Sequence, residues 1–249
     1  MGIFDKLFNK KAASVEVYST PKPAATPMKI DMSKHAENLE TVLIDMSKSN
    51  KVDMTKHAAR VALAMDYSGS MSGMFSSGAV QDVVTRLLPI ALKFDDNGEL
   101  ESWLFSNGYE RLQSVTVNNY ENYVEDVMCN ARMSMGGTNY APALKDIVKY
   151  YKDKHPSTTP SFIIFITDGD NSDKSNTDAV VREISNYNMF VQFVGIGNDS
   201  FSYLRELDNL SGRIHDNTGF IAVKDMNKMD DQELYNEMLR QYNDWLNKK

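Results

Sequence analysis

Three short segments carry closely spaced oxygen side chains of the kind that bind a hard metal ion. The first is Asp66-Tyr67-Ser68-Gly69-Ser70, a D-x-S-x-S pattern that directly follows the apolar run 61–65. The other two are Thr138, after a pair of glycines, and Asp168, in a Thr-Asp-Gly-Asp sequence after the apolar run 162–166. Carboxylates and hydroxyls without His or Cys partners suit a small hard cation such as Mg²⁺. Asp66, Ser68, Ser70, Thr138 and Asp168 are therefore candidate metal ligands, provided that the fold brings them together.

The elements that must position these side chains alternate along the chain from about residue 59 onward. The runs 61–65 and 162–166 are apolar without alternation, as expected for strands that helices cover on both faces. We expect strands at 60–65, 100–105, 115–118, 161–166, 190–196 and 219–223, and helices at 80–94, 120–133, 141–154, 177–188, 203–210 and 232–247. This alternation predicts an α/β fold with a doubly wound, mostly parallel six-stranded sheet and helices on both faces.

The order of the strands decides whether the oxygen side chains meet. In an open parallel sheet, ligands bind beyond the carboxyl ends of the strands, at the point where the strand order reverses. Asp66 ends the first predicted core strand, and Asp168 follows the fourth. If the order is 3-2-1-4-5-6, with an antiparallel edge allowed, these two strands are neighbours at the reversal. Thr138 lies on the adjoining loop before a helix, so the topology predicts one site built from three loops.

The same combination of segments resembles a known family. The D-x-S-x-S segment, the later threonine and the T-D-G segment are similar to the metal-ion-dependent adhesion site of von Willebrand factor type A (vWA) domains. The resemblance covers residues 59–249, which we expect to form the vWA domain. Within the family, the sequences at 167–171, 193–197 and 234–239 resemble the intracellular bacterial and phage branch associated with tellurium-resistance and stress operons.

The resemblance implies a metal and a class of partner. It implies that Ser68, Ser70 and Thr138 coordinate Mg²⁺ directly or through water, with Asp66 and Asp168 in contact with the metal or one water away. Mn²⁺ and Ca²⁺ are alternatives to Mg²⁺. Two carboxylates at most neutralise the ion, which accepts about six oxygen ligands. The remaining ligand is then expected from an Asp or Glu of a partner protein.

The leading functional hypothesis is a non-catalytic, Mg²⁺-dependent protein-protein interaction module. Two alternatives stay open, a metal-dependent phosphohydrolase that uses the same crevice and a scaffold that binds no metal. The phosphohydrolase is disfavoured because an aspartyl-phosphate mechanism usually starts from D-x-D, whereas residue 68 is Ser, and no general base is identified. A serine nucleophile elbow is excluded because Gly69-Ser-Met-Ser-Gly73 has Met71 at its centre.

Charge and composition limit the partners and the compartment. Residues 1–60 carry ten Lys and Arg against seven Asp and Glu, whereas residues 61–249 carry seventeen against twenty-seven. An acidic main domain without a basic stripe argues against nucleic acid as the partner. The single cysteine, Cys129, fits a reducing compartment, and the chain shows neither a membrane-length apolar stretch nor a signal-peptide pattern. We therefore expect a cytoplasmic protein.

The N-terminal region divides into two parts. Residues 1–11 form a short amphipathic segment, which we expect to rest weakly on a membrane surface or in a partner's groove, or to fold back on its own domain. Its predicted apolar face carries Ile3, Phe4, Leu7 and Phe8. Residues 12–58 are a linker and accessory segment that begins with a proline-containing stretch at 12–28.

Three related hexamers follow the proline-containing stretch. They start at Ile30, Ile44 and Val52, and each predicts the start or cap of a short helix, although the last is also compatible with a strand. His35 and His57 recur in the first and third hexamers. Two histidines without further ligands are weak evidence for a metal site.

Overall fold

The computed structural model describes residues 30–248, and their centre is a six-stranded sheet with the order β3-β2-β1-β4-β5-β6. β3 runs antiparallel to β2, and all other neighbouring strands are parallel. The predicted α/β class and the mostly parallel six-stranded sheet are confirmed, and the strands have the 3-2-1-4-5-6 order that the convergence of the three loops requires. The strands are β1 (Arg60–Asp66), β2 (Glu101–Phe105), β3 (Tyr109–Arg111), β4 (Ser161–Thr167), β5 (Met189–Ile196) and β6 (Thr218–Val223).

Helices cover both faces of the sheet. One face carries α1, α3 and α7, and the other carries α4, α5 and α6. The helices are α1 (Ile30–Ser49), α2 (Ser72–Ser76), α3 (Ala79–Phe94), α4 (Ala141–Lys149), α5 (Lys174–Ile184), α6 (Ser202–Asp208) and α7 (Asp231–Asn247). Short 3-10 turns lie at Tyr120–Asn122 and Met226–Lys228, and π-helical turns lie at Val124–Met128 and Tyr150–Lys154.

The period of two along the strands divides the core into two layers. In β1, Val61, Leu63 and Met65 pack on the α1, α3 and α7 side, whereas Ala62 and Ala64 face α4 and α5. All of these side chains are fully buried. Burial on both faces explains why β1 and β4 are apolar runs without alternation.

Two predicted elements differ from the structure. The strand predicted at 115–118 is wrong, because the third strand is β3, and Val115 forms only an isolated bridge with Leu100. β3 reads Tyr-Glu-Arg, and its half-exposed edge position leaves no apolar signal in the sequence. The long helix predicted at 120–133 is also wrong, because this stretch forms only the 3-10 turn and the π-helical turn named above.

The accessory segment contains one long helix that packs on the sheet-covering helices. α1 includes the first two hexamers, and its buried side chains Met32, Leu39, Val42 and Leu43 recur at helical spacing against α3 and α7. The third hexamer follows α1 and forms turns before β1. The expectations for segments 1–11 and 12–28 concern residues outside the described part of the chain.

The recurring histidines have separate structural partners. His35 Nδ1 lies 2.6 Å from Asp231 Oδ2, and His57 Nε2 lies 2.8 Å from the Tyr242 hydroxyl. Both contacts attach the accessory segment to α7. Within residues 30–248, no helix is long and apolar enough to cross a bilayer.

Candidate metal centre

Asp66 lies at the carboxyl end of β1, where both of its carboxylate oxygens accept hydrogen bonds from the protein. The Ser68 backbone N–H donates to Oδ1 at 2.8 Å, and the Thr167 hydroxyl donates to Oδ2 at 2.6 Å. The Asp66 side chain is fully buried. The register of the sheet makes the second contact possible, because Met65 pairs with Ile166, one residue before Thr167.

The two serines of the D-x-S-x-S segment connect β1 to the Asp168 loop. Ser68 Oγ lies 3.0 Å from Ser70 Oγ, and Ser70 Oγ donates to Asp168 Oδ1 at 2.9 Å. Ser68 is buried, Ser70 is exposed and Asp168 is half-buried, so the series of oxygens runs from the protein interior to the surface. The structure thus brings together four of the five predicted site residues through direct contacts.

Thr138, the fifth predicted residue, reaches the same place through its backbone. The preceding loop pairs with the first loop by a bridge between Ser68 and Gly136, and the Gly69 N–H donates to the Gly136 carbonyl at 2.9 Å. The Thr138 carbonyl accepts from Ser172 N–H, just beyond the Asp168 loop, at 2.8 Å. Thr138 is half-buried, and within residues 30–248 its hydroxyl forms no hydrogen bond.

Asn107 explains why two glycines precede Thr138. A Cβ atom on Gly136 would lie 2.7 Å from Asn107 Nδ2, and one on Gly137 would lie 2.6 Å from Asn107 Oδ1. The Gly137 N–H donates to Asn107 Oδ1 at 3.2 Å, and Asn139 Nδ2 donates to the Asn107 carbonyl at 2.9 Å. Asn107 therefore holds the second loop in place through hydrogen bonds to Gly137 and Asn139, a role that its sequence position did not indicate.

Tyr140 and Asp173 hold the second and third loops together. The Tyr140 hydroxyl donates to the Gly169 carbonyl. Asp173, at the start of α5, accepts from the backbone N–H groups of Tyr140 at 3.0 Å and Ala141 at 2.9 Å. These N–H groups open α4 and have no partner within the helix, so the Asp173 carboxylate satisfies the first turn of α4.

The electrostatics of the site favour a bound cation. The pKa of the Asp66 carboxyl is raised to about 6, because burial, with a smaller contribution from the Asp168 carboxylate, outweighs the hydrogen bonds from Thr167 and Ser68 that lower it. Burial also raises the pKa of Asp168, with Asp199 contributing repulsion. No Lys or Arg in the described part of the chain forms an ion pair with Asp66 or Asp168. A divalent cation beside both carboxylates would stabilise their charged forms.

Asp170 has a different role from Asp168, although both belong to the same loop. Its carboxylate forms an ion pair with Lys174 Nζ at 2.7 Å and is exposed. Across residues 30–248, no group of three or more His, Cys, Asp and Glu side chains has the arrangement of a metal site. The candidate centre is of another type, with two carboxylates and three hydroxyls.

Comparison with known sequences agrees with the resemblance that the sequence motifs show. Residues 58–249 match the vWA-TerF-like family, described as the vWA domain found in the TerF C terminus. The uncharacterized protein YcbR of Bacillus subtilis (strain 168) is 38% identical over 211 residues, which cover 82% of this chain and 86% of YcbR.

Three solved structures share the fold at low sequence identity. The SpRpn10 VWA domain aligns with a TM-score of 0.54 at 10% identity, covering 74% of this chain and 95% of that domain. An aerotolerance-related membrane protein from Bacteroides fragilis NCTC 9343 aligns with a TM-score of 0.54 at 14% identity, covering 77% and 100%. The proximal thread matrix protein 1 of the mussel byssus, with a zinc-occupied MIDAS motif, aligns with a TM-score of 0.52 at 14% identity, covering 76% and 46%.

Proposed function

Because the chain belongs to the vWA-TerF-like family, we propose that it is a metal-dependent protein-binding module. Its metal would be held by Asp66, Ser68, Ser70, Thr138 and Asp168, and a partner protein would add an Asp or Glu carboxylate. The observation that carries the proposal is the spacing of the Ser68, Ser70 and Asp168 oxygens, which are 3.0 and 2.9 Å apart. Adjacent oxygen ligands around an octahedral Mg²⁺, each at ~2.1 Å, lie about 3.0 Å from one another.

The ligand set supports Mg²⁺ as the metal. Hydroxyls and carboxylates are hard ligands, and the site has no His or Cys to favour a softer ion. Both Asp66 oxygens already accept protein hydrogen bonds, which supports a role for Asp66 through a bound water. Mn²⁺ and Ca²⁺ take the same ligands. The zinc-occupied MIDAS of the mussel protein indicates that a site on this fold also accepts another divalent ion.

A binding role, rather than catalysis, is part of the proposal. The four protein side chains in contact at the site are two carboxylates and two hydroxyls, and no histidine lies among them to act as a general base. Ser68 also occupies the position at which an aspartyl-phosphate mechanism usually has a second Asp. We expect no Mg²⁺-dependent hydrolysis of p-nitrophenyl phosphate, and a turnover that is lost in Asp168→Ala would overturn this part.

The cellular setting is likewise proposed from family and composition. A vWA domain of the type found in the TerF C terminus supports a role in a tellurium-resistance or stress-response system. The lone cysteine is exposed and unpaired, which supports a cytoplasmic location. The acidic character of residues 61–249 supports a protein rather than a nucleic acid as partner.

Calorimetric titration with Mg²⁺ tests the metal site directly. We expect Asp168→Ala and Ser70→Ala to abolish the binding isotherm. Asp170→Ala and Ser72→Ala are matched controls, because both side chains are exposed neighbours that lie outside the series of oxygen contacts. If the wild type bound none of Mg²⁺, Mn²⁺ and Ca²⁺, the metal site would be contradicted and the domain would act as a metal-free scaffold.

Affinity capture from the native host tests the partner. The wild type and Asp66→Ala are compared in Mg²⁺ and in EDTA, with Asp170→Ala as the control. The proposal expects partners that the wild type and Asp170→Ala retain only with Mg²⁺. A partner list that neither EDTA nor Asp66→Ala changes would contradict metal-dependent binding even if the metal itself binds.

A further inference from the structure

β3, the antiparallel edge of the sheet, has backbone groups that point away from its neighbour. The residues on either side of β3, Gly108 and Leu112, each form a backbone hydrogen bond of 2.9 Å with β2 or its end. Bonded and unbonded residues alternate along an antiparallel pair, so the N–H and C=O groups of Tyr109 and Arg111 face outward. Within residues 30–248, these four groups form no hydrogen bond. They can therefore pair with a further strand.

The charged side chains of β3 do not protect this edge. Free charges on an edge strand hinder the addition of another strand. Here, Arg111 Nη2 donates to Glu101 Oε2 at 2.7 Å, and Glu110 Oε2 accepts from the backbone N–H groups of Arg132 at 2.7 Å and Met133 at 3.2 Å. Both charges are thus compensated within the domain and do not oppose an approaching strand.

The side chains of β3 are typical of a protein-binding surface. Tyr109 is 44% exposed and Arg111 is also exposed, and these residue types are enriched among those that dominate the binding energy of interfaces. The Tyr109 hydroxyl donates to Asp146 Oδ1 of α4 at 3.1 Å, and Trp103 Nε1 donates to Asp146 Oδ2 at 2.9 Å. The Tyr109 ring is therefore held in place although much of it is exposed, which lowers the entropy cost of a contact.

The uncompensated charges on the two segments that contact β3 are cationic. On α4, the exposed Lys145 and Lys149 lie on either side of Asp146 in the sequence, and Arg132 is exposed on the loop that Glu110 holds. None of these three cations forms an ion pair within residues 30–248. The side chains of an added strand alternate between the α4 face and the face of this loop. Charge complementarity therefore favours a strand with acidic side chains.

A second copy of the chain fits this edge less well than an acidic strand does. Two β3 strands can satisfy all four outward groups in both copies only when Tyr109 of one copy is opposite Arg111 of the other. This register places the two Glu110 side chains directly opposite each other, and like charges in that arrangement are destabilising. The self-pairing also adds no acidic group beside Lys145 and Lys149 beyond those already engaged by the domain.

We propose that β3 accepts an extended acidic segment of a partner protein as an additional strand of the sheet. The segment forms backbone hydrogen bonds with Tyr109 and Arg111, and its Asp or Glu side chains lie beside Lys145, Lys149 and Arg132. In this mode of recognition the main-chain bonds supply affinity and the alternate side chains supply specificity. The contact needs no metal, so its test is independent of the proposed metal-dependent function.

Amide signals of the full-length chain, recorded in EDTA, test the contact with the peptide acetyl-Thr-Glu-Val-Glu-Val-Glu-Thr-amide as the probe. We expect the peptide to shift the amide signals of Tyr109 and Arg111. At a peptide concentration ~10 times the Kd, hydrogen exchange of both amides should slow about tenfold. The Glu110 amide, which the register pairs with β2, should keep its exchange rate. The same peptide with N-methylated glutamates, and a peptide with lysines in place of the glutamates, should bind at least about tenfold more weakly.

Charge reversal on the protein gives an independent check. Lys145→Glu/Lys149→Glu changes only exposed side chains, so it should fold, and it should raise the Kd of the acidic peptide by about fivefold or more. Lys224→Glu/Lys228→Glu is the matched control, because it makes the same change in net charge next to β6, at the opposite edge of the sheet. The control should leave the Kd within about twofold of the wild type.

Three results would overturn the proposal. The first is an acidic peptide that leaves the Tyr109 and Arg111 amides unchanged, or that loses affinity equally in both double variants. The second is undiminished binding of the N-methylated peptide, which would mean general attraction of anions without strand addition. The third is a shift of both amides that depends on protein concentration in the absence of peptide, which would assign the edge to a second copy.

Discussion

Replacement of Thr167 by valine tests how the site is built. The Thr167 hydroxyl is buried at the end of β4 and donates to Asp66 Oδ2 at 2.6 Å. Valine has nearly the same shape but cannot donate, so Thr167→Val removes a hydrogen bond to a buried carboxylate. Such bonds contribute about 1.5–3 kcal/mol, and we expect the free energy of unfolding to fall by about 2 kcal/mol. The midpoint temperature should then fall by roughly 4–8 °C in a protein of this size.

The same substitution should weaken the proposed metal site. Replacing a residue that orients a metal ligand typically lowers metal affinity by roughly 10–100-fold. At a Mg²⁺ concentration ~100 times the wild-type Kd, the metal stabilises the wild type by about 2.7 kcal/mol. For Thr167→Val at this concentration, the stabilisation should fall to about 0.4–1.4 kcal/mol.

Thr218→Val is the matched control for this experiment. Thr218 is also a buried threonine at a strand end, and its hydroxyl donates to the Leu207 carbonyl at 3.1 Å and accepts from Arg213. We expect a similar loss of stability in EDTA but the full stabilisation by Mg²⁺. Urea unfolding of both variants and the wild type, with Mg²⁺ and with EDTA, measures both effects.

Two results would refute the reasoning about Thr167. A loss of less than about 0.5 kcal/mol in EDTA would mean that the hydroxyl does not hold the Asp66 carboxylate. If Mg²⁺ raised the free energy of unfolding of Thr167→Val by as much as that of the wild type, but raised that of Thr218→Val by less, the orientation of Asp66 would not matter for metal binding.

Three further predictions concern stability. Burial lowers the pKa of His57 to about 4, so its protonation opposes folding as the pH drops from 6.5. Burial raises the pKa of Asp66 to about 6 and that of Asp95 to about 7, which acts in the opposite direction, so the effect of His57 is measured against His57→Gln. In urea unfolding, the wild type should lose about 1–2 kcal/mol relative to His57→Gln on going to pH ~5, a value reduced for solvent screening. Asp231→Asn should lower stability by about 3–5 kcal/mol, because it removes the carboxylate 2.8 Å from the buried Arg86 guanidinium and leaves only the exposed Asp82 carboxylate at 4.0 Å; faster hydrogen exchange in α1 should accompany the loss. Gly195→Ala should cost about 1–3 kcal/mol in thermal unfolding, because the new Cβ lies 2.7 Å from the Phe201 ring.

The sheet and the positions of its carboxylates could be predicted, because the residues that determine them are close together in the sequence. Apolar runs identified β1 and β4, and the residues that follow them, Asp66 and Asp168, had to lie at the carboxyl ends of those strands. The vWA family predicted from the same segments is confirmed by the family match over residues 58–249. β3 was not predictable, because three polar residues at a sheet edge have no apolar period.

The contacts that support the site were not predictable, because they join residues that are distant in sequence. Asn107 contacts Gly137 across 30 positions, and Thr167 contacts Asp66 across 101. A threonine beside an aspartate, or an asparagine beside a glycine, is an ordinary turn sequence. Only the sheet register determines that their side chains reach the site.

The contacts of the three site loops indicate which loop can move when a ligand binds. The second and third loops are joined through Asp173 and Tyr140, whose contacts also fix the start of α4. Beyond the buried Ser68, the first loop continues through the exposed Gly69 and Ser70 into α2, a five-residue helix without a side-chain cap. Fewer buried contacts mean a lower cost of local movement. A ligand at the metal centre should therefore move the exposed Gly69 and Ser70 more than Thr138 or Asp168.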